Sequence, residues 1–125
     1  MKSRETLIRL KKFQVDERRR KVAQIETMIA EFERMAGDLE VQISAEEKKA
    51  GITDINHFAY PTFAKAARLR RDNLKNSQHD LLQQRTVAES LLSEAEAELS
   101  KAEMLEMRDT KTRDADVGVR NVMIG

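Results

Sequence analysis

The chain has no cysteine. That excludes a disulfide framework, a thiolate metal site and a thiol nucleophile, and it suits a reducing cytosol. It has no tryptophan, and its aromatic residues are only 4% of the total. With charged residues at 36%, well above the ~25% of an average globular domain, so polar a chain cannot enclose a wide core. No apolar run approaches the ~20 residues of a membrane span. None of signal-peptide length follows the charged start Met1-Lys2-Ser3-Arg4-Glu5. The expectation is a cytoplasmic chain with no direct membrane insertion. Net charge is +1, so bulk electrostatics gives no reason to expect nucleic acid as a partner.

Proline is scarcer still, with one residue, and glycine numbers four. Residues 3–49 contain no proline and one glycine, Gly37. Within them apolar residues recur at alternating steps of three and four: Ile8, Val15, Val22, Ile25, Ile29, Phe32, Ala36, Leu39 and Ile43. These are the a and d positions of one heptad frame. Lys11 and Arg18 interrupt the d positions, but their aliphatic stems can cover a seam while the charge reaches water. The frame stops at Gly51, a C-cap candidate after Lys48 and Lys49.

Residues 50–60 form the only strong break. Pro61 suits the first turn of a second helix, while Thr53-Asp54 could cap a short helical turn earlier; both readings stand. A second frame then runs through Tyr60, Phe63, Ala67, Leu74, Leu81, Ala88, Leu91, Ala95, Ala102 and Leu105, with polar d positions at Arg70, Ser77, Gln84 and Glu98. The reading is all-α: an antiparallel two-helix coiled-coil hairpin over residues 1–108, with helices at 3–49 and 61–108. Residues 109–125 read as a frayed, flexible tail whose apolar end, Val117 to Gly125, could dock on another surface.

Charge tests that topology independently. Residues 1–25 carry nine bases and three acids, net +6; residues 26–50 carry three and seven, net −4. Residues 61–85 carry six and two, net +4; residues 86–109 carry two and seven, net −5. Folding back lays +6 on −5 and −4 on +4, whereas a parallel in-register dimer would lay like on like. Exposed pairs are worth only ~0.2–1 kcal/mol each, so they select orientation rather than drive folding. The two frames agree when paired residue numbers sum to 113, which sets Ile8 by Leu105 and Leu39 by Leu74.

No catalytic constellation is present. His57 and His79 read as solvated, no phosphate loop or HExxH pattern occurs, and the carboxylates read as solvating partners of Lys and Arg. The chain reads as no enzyme, with no cofactor and no metal. The basic run Arg18-Arg19-Arg20-Lys21 has three readings: a face against Glu94, Glu96 and Glu98 of the second helix, a phosphate or nucleic-acid patch shared with Arg68 to Arg71, or a contact for an acidic protein. Phe58, Tyr60 and Phe63 at the loop read either as local packing or as a docking tip.

Two stretches carry a resemblance, Leu7 to Glu26 (LIRLKKFQVDERRRKVAQIE) and Ala50 to Lys65 (AGITDINHFAYPTFAK). The less generic parts are Phe13 to Arg19 and His57 to Pro61. Over roughly residues 1–108 the chain resembles the flagellar export protein FliJ family, in particular its alphaproteobacterial members. The resemblance implies a non-enzymatic coiled-coil stalk of the type III export apparatus, peripheral at the cytoplasmic face of the inner membrane. Implied partners are the flagellar export ATPase ring, the export gate membrane protein and export chaperones. Carried onto this sequence, Arg9, Lys12, Arg18, Arg19 and Arg20 would meet the ring. Tyr60, Phe63, Ala67, Arg70, Arg71 and Leu74 would meet the gate. A generic coiled-coil chaperone or scaffold, and a nucleic-acid-binding coiled coil, are the alternatives.

Overall fold

The computed structural model describes the backbone of residues 2–124 and the side chains of residues 3–116. Helix α1 spans Lys2–Ala50 and helix α2 spans Thr62–Ile124, with no strand among the described residues. The fold is the all-α two-helix hairpin that the heptads predict. An uninterrupted run of helix-compatible residues explains α1. Its ends match the peptide dipoles, with Glu5 in the first turn and Lys48 and Lys49 in the last.

The break is built by side chains and by one glycine. Gly51 has φ 71°, the left-handed conformation open to glycine at little cost. Its N–H donates to the Glu47 carbonyl at 2.8 Å, and the Ile52 N–H reaches the same oxygen at 3.3 Å. This ending combines the 5→1 bond of the αL form with the 6→1 bond of the Schellman motif on one acceptor. Asp54 then shapes a tight turn: its carboxylate accepts the Asn56 N–H at 3.0 Å and its carbonyl accepts the His57 N–H at 3.1 Å. The Lys65 N–H donates to the Pro61 carbonyl at 3.1 Å, so Pro61 opens α2 and Thr62 is its first full residue. The helix therefore starts at Pro61, and Asp54 caps a hydrogen-bonded turn that is not helical.

The chain divides into two compact units: residues 22–87, and residues 1–21 with 88–125. In the 22–87 unit, Ile25, Ile29, Ala36, Leu39 and Ile43 of α1 are buried against Tyr60, Ala64, Ala67 and Leu81. Leu39, Ile43 and Ala67 form one cluster, and Leu74 packs on it. Across this seam Arg68 pairs with Glu47 and Arg71 with Glu40, which makes the helices antiparallel. In the other unit Val15, Ala88 and Ala102 are buried. There Lys11 pairs with Glu98 and Arg4 with Asp109, again antiparallel.

Two expectations are corrected. The second seam position of α2 is displaced by one residue: Ala64, Arg71, Gln78, Arg85, Leu92, Leu99 and Glu106 turn inward, while Arg70, Ser77, Gln84 and Glu98 face out. Phe63 is 56% exposed and Leu105 42%, so both lie at the margin of the seam rather than inside it. The displaced frame has a physical reason. Ala64, at 0% exposure, lets the backbones approach, and the long stems of Arg71 and Gln78 carry their polar heads across to Glu40 and to the Ile29 carbonyl.

The second correction concerns the tail. Seam packing ends at Asp109 as expected, and every side chain from Thr110 to Asp116 is exposed. The helix nevertheless continues to Ile124. Helical hydrogen bonds are local and need no seam, and no proline follows residue 109. The Thr110 and Thr112 hydroxyls return to the Glu106 and Arg108 carbonyls at 3.0 Å each. The docking expectation for Val117 to Gly125 lies outside the described side chains.

Candidate partner-binding surfaces

The gate-facing set is split by the fold. Tyr60 and Ala67 are buried, Leu74 is half-buried on the core cluster, and Arg71 is half-buried between Asp72 and Glu40. Burial disfavours the Arg71 charge, and hydrogen bonds to Asp72 and Glu40 more than offset it, so its pKa lies above the ordinary arginine value. These four residues hold the hairpin together. Phe63 and Arg70 point outward. The surface open to a partner on early α2 therefore consists of an exposed phenylalanine and an exposed arginine.

Sequence reasoning passed over the residue that organises this end. Arg68 donates from Nε to the Tyr60 hydroxyl at 2.8 Å and from Nη2 to Glu47 Oε1 at 3.0 Å. Its guanidinium carbon also lies 5.8 Å from the centre of the Tyr60 ring, within cation–π range. The Tyr60 hydroxyl and then Glu47 stabilise the charge, and the Arg68 pKa is raised. The eight-residue gap between Tyr60 and Arg68 is about two helical turns, but Tyr60 precedes α2, so helical spacing gave no signal. A depression of about 400 Å³ beside this cluster is lined by Glu40, Glu47, Arg68 and Arg71. Those four ionic groups already pair within the chain.

The loop presents the most exposed aromatic of the chain. Phe58 is 96% exposed and stacks on the His57 ring, with centroids 4.8 Å apart. His57 Nδ1 accepts the Ala59 N–H at 3.0 Å. His57 and His79 are both exposed. Of the aromatics read as a possible docking tip, Tyr60 is local packing, whereas Phe58 and Phe63 stand free.

The ring-facing set lies on one stretch of α1, and Arg9, Lys12, Arg18, Arg19 and Arg20 are all exposed. Arg20 pairs with Glu17 at 2.5 Å and Arg19 reaches Asp16 at 4.0 Å, both within α1. The cation that crosses to Glu98 is Lys11, at 2.5 Å. The reading of Arg18 to Lys21 as a face against Glu94, Glu96 and Glu98 is thereby corrected: Lys11 and Arg18 both occupy d positions, but Lys11 is half-buried and reaches Glu98, whereas Arg18 is exposed. Lys11, by hydrogen bond and by charge, holds the Glu98 carboxyl below the usual carboxylate range. Among the described residues no ion pair engages Arg9, Lys12 or Arg18.

Among the described residues no group of three or more His, Asp or Glu is placed to hold a metal ion. No helix there is long and apolar enough to cross a membrane. No family model, no curated protein and no solved structure matches the chain.

Proposed function

We propose that this chain is a non-enzymatic component of a flagellar type III export apparatus, a coiled-coil stalk that couples the export ATPase ring to the membrane export gate and aids secretion of flagellar subunits. The observation that carries the reading is the likeness of residues 7–26 and 50–65 to the FliJ family, on a chain that folds as an antiparallel helical hairpin. The turn built by Gly51, Asp54 and Pro61 lies inside the second of those stretches. A coupling element needs no pocket and no acid–base pair; it needs surfaces for two partners. Arg9, Lys12 and Arg18 offer exposed, unpaired cations for an acidic ring surface. Phe63 and Arg70 offer an apolar anchor and a charge for the gate, with export chaperones as further partners. The protein would then work at the cytoplasmic face of the inner membrane, held there by those partners.

The test is to mix the chain with its cognate export ATPase. Co-purification and stimulated ATP hydrolysis are expected, and Arg9→Glu combined with Lys12→Glu should abolish both. Absence of both with the wild-type chain refutes the reading. Deletion of the gene should stop motility while basal bodies still assemble. The nucleic-acid alternative is weakened by the pairing of Arg68 and Arg71 with carboxylates of the chain itself, because phosphate binding would first have to break those pairs.

A further inference from the structure

Apolar burial is spread unevenly along the seam. In the 22–87 unit every seam position of α1 from Val22 to Ile43 is apolar, and Ile25, Ile29, Ala36, Leu39 and Ile43 are buried. Tyr60, Ala64, Ala67 and Leu81 are buried on the α2 side. In the unit of residues 1–21 and 88–125, Arg4, Lys11 and Arg18 take d positions of α1, and Val15 is the one buried residue of that arm among those described. On α2 the buried residues there are Ala88 and Ala102, and each withdraws little more than a methyl from water. Leu92 and Leu99 are half-buried, and the seam then passes to Glu106 and Asp109.

Polar groups weaken this unit further. Arg4 Nη1 and Glu106 Oε2 are both buried without a hydrogen-bond partner. A stranded donor or acceptor carries its full desolvation cost, and parting the helices returns both atoms to water. The ion pairs that cross, Arg4 with Asp109 and Lys11 with Glu98, leave their carboxylate side chains 41% and 58% exposed, so water screens them.

We propose that the arms 2–21 and 88–116 separate reversibly as one unit while the 22–87 hairpin stays closed. Few buried apolar side chains give such a unit a small opening free energy. A parted helix draws little stability from intrinsic propensity, so both arms lose their protection together. The opening needs no partner and holds whether or not the chain serves export. Closure is then a step that binding can drive: a partner that grips both arms shifts the balance by as much as it favours the closed form.

Native-state hydrogen exchange of the full chain, read residue by residue by NMR, tests this. Amides of residues 8–18 and 92–106 should share one protection level, at least ~10-fold below that of residues 29–43 and 67–81. A shared level in two segments so far apart in sequence marks joint opening, whereas independent fraying gives each helix its own gradient. Lys11→Leu with Arg18→Leu should raise protection in both arms several-fold, and Val15→Ala should lower it in both. Ile29→Val should lower protection of residues 29–43 and 67–81 about threefold or more, and leave both arms within about twofold. Arms protected to within ~10-fold of residues 29–43 overturn the proposal. So do two arms that respond separately to Val15→Ala, or arms that follow Ile29→Val.

Discussion

Replacing Arg68 by alanine is the most informative single change to the hairpin. The substitution removes two hydrogen bonds, to the Tyr60 hydroxyl at 2.8 Å and to Glu47 at 3.0 Å. The Glu47 side chain is only 12% exposed, so its carboxylate would be left without a partner and largely without water. Hydrogen bonds to charged groups contribute ~1.5–3 kcal/mol, and a stranded buried acceptor adds a further desolvation cost. Breaking a fully buried pair costs ~3–5 kcal/mol. Arg68 itself is 26% exposed, and water reaching the site discounts that figure to about 2 kcal/mol. For a chain of this size that corresponds to a fall in Tm of roughly 6–10 °C. The assay is unusually clean because Tyr60 is the only tyrosine and there is no tryptophan. Its fluorescence reports the 22–87 unit alone, alongside circular dichroism of all the helix. The double variant Arg68→Ala with Glu47→Ala should cost less than the two single changes added together, because the stranded carboxylate is gone. A loss below about 0.5 kcal/mol for Arg68→Ala, or strict additivity in the double variant, refutes the account.

Other outcomes follow from the same geometry. Gly37→Ala, in mid-helix with nothing within 4 Å of an added Cβ, should raise stability by ~0.5–1 kcal/mol in a urea titration. Gly51→Ala also meets open space, but at φ +71° it should cost ~1–2 kcal/mol, with Gly51→Asn losing less. Glu106 keeps a buried carboxylate oxygen without a partner, so Glu106→Leu should raise Tm by several degrees, on the order of 1 kcal/mol. The Glu98 carboxyl, depressed by Lys11, binds its proton less readily folded than unfolded. Its contribution is complete above the ordinary value of 4.5 and is lost as pH falls through the lower folded pKa. Carbon-detected NMR titration should show Lys11→Met returning Glu98 toward 4.5.

Helix α1 was legible because its frame is nearly unambiguous: from Val22 to Ile43 every seam position is apolar, and no neighbouring frame offers the same run. The direction of pairing was legible from charge blocks, and the turn from Gly51, Asp54 and Pro61. Helix α2 was harder. Its two competing seam positions each offer three apolar residues among polar ones: Phe63, Leu91 and Leu105 against Ala64, Leu92 and Leu99. Aromatic bulk favours the first set on hydrophobicity. Close approach of two helices favours the second, because alanine leaves room where phenylalanine does not. A pattern of apolar residues carries no information about that approach distance, nor about which arginine stems will cross the seam. The gate-facing residues implied by the resemblance divide along the same line, with Arg71 turned inward and Phe63 and Arg70 outward. The run of basic residues on α1 is exposed, and its in-helix partners Asp16 and Glu17 were overlooked in favour of distant glutamates.

The two units differ in how well a single chain can hold them. In the 22–87 unit the seam buries Ile25, Ile29, Leu39, Ile43, Tyr60 and Leu81, side chains worth ~1.5–3 kcal/mol each when fully buried. In the other unit the buried residues are Val15, Ala88 and Ala102. Alanine contributes a single methyl, and α1 puts Lys11 and Arg18 where its d-position leucines would be. That unit holds Ile8, Leu92 and Leu99 only half-buried and leaves Leu7, Leu10, Phe13, Met104 and Leu105 exposed. Cohesion within the hairpin is therefore weaker in that unit than in the 22–87 unit, because less apolar surface leaves water at its seam.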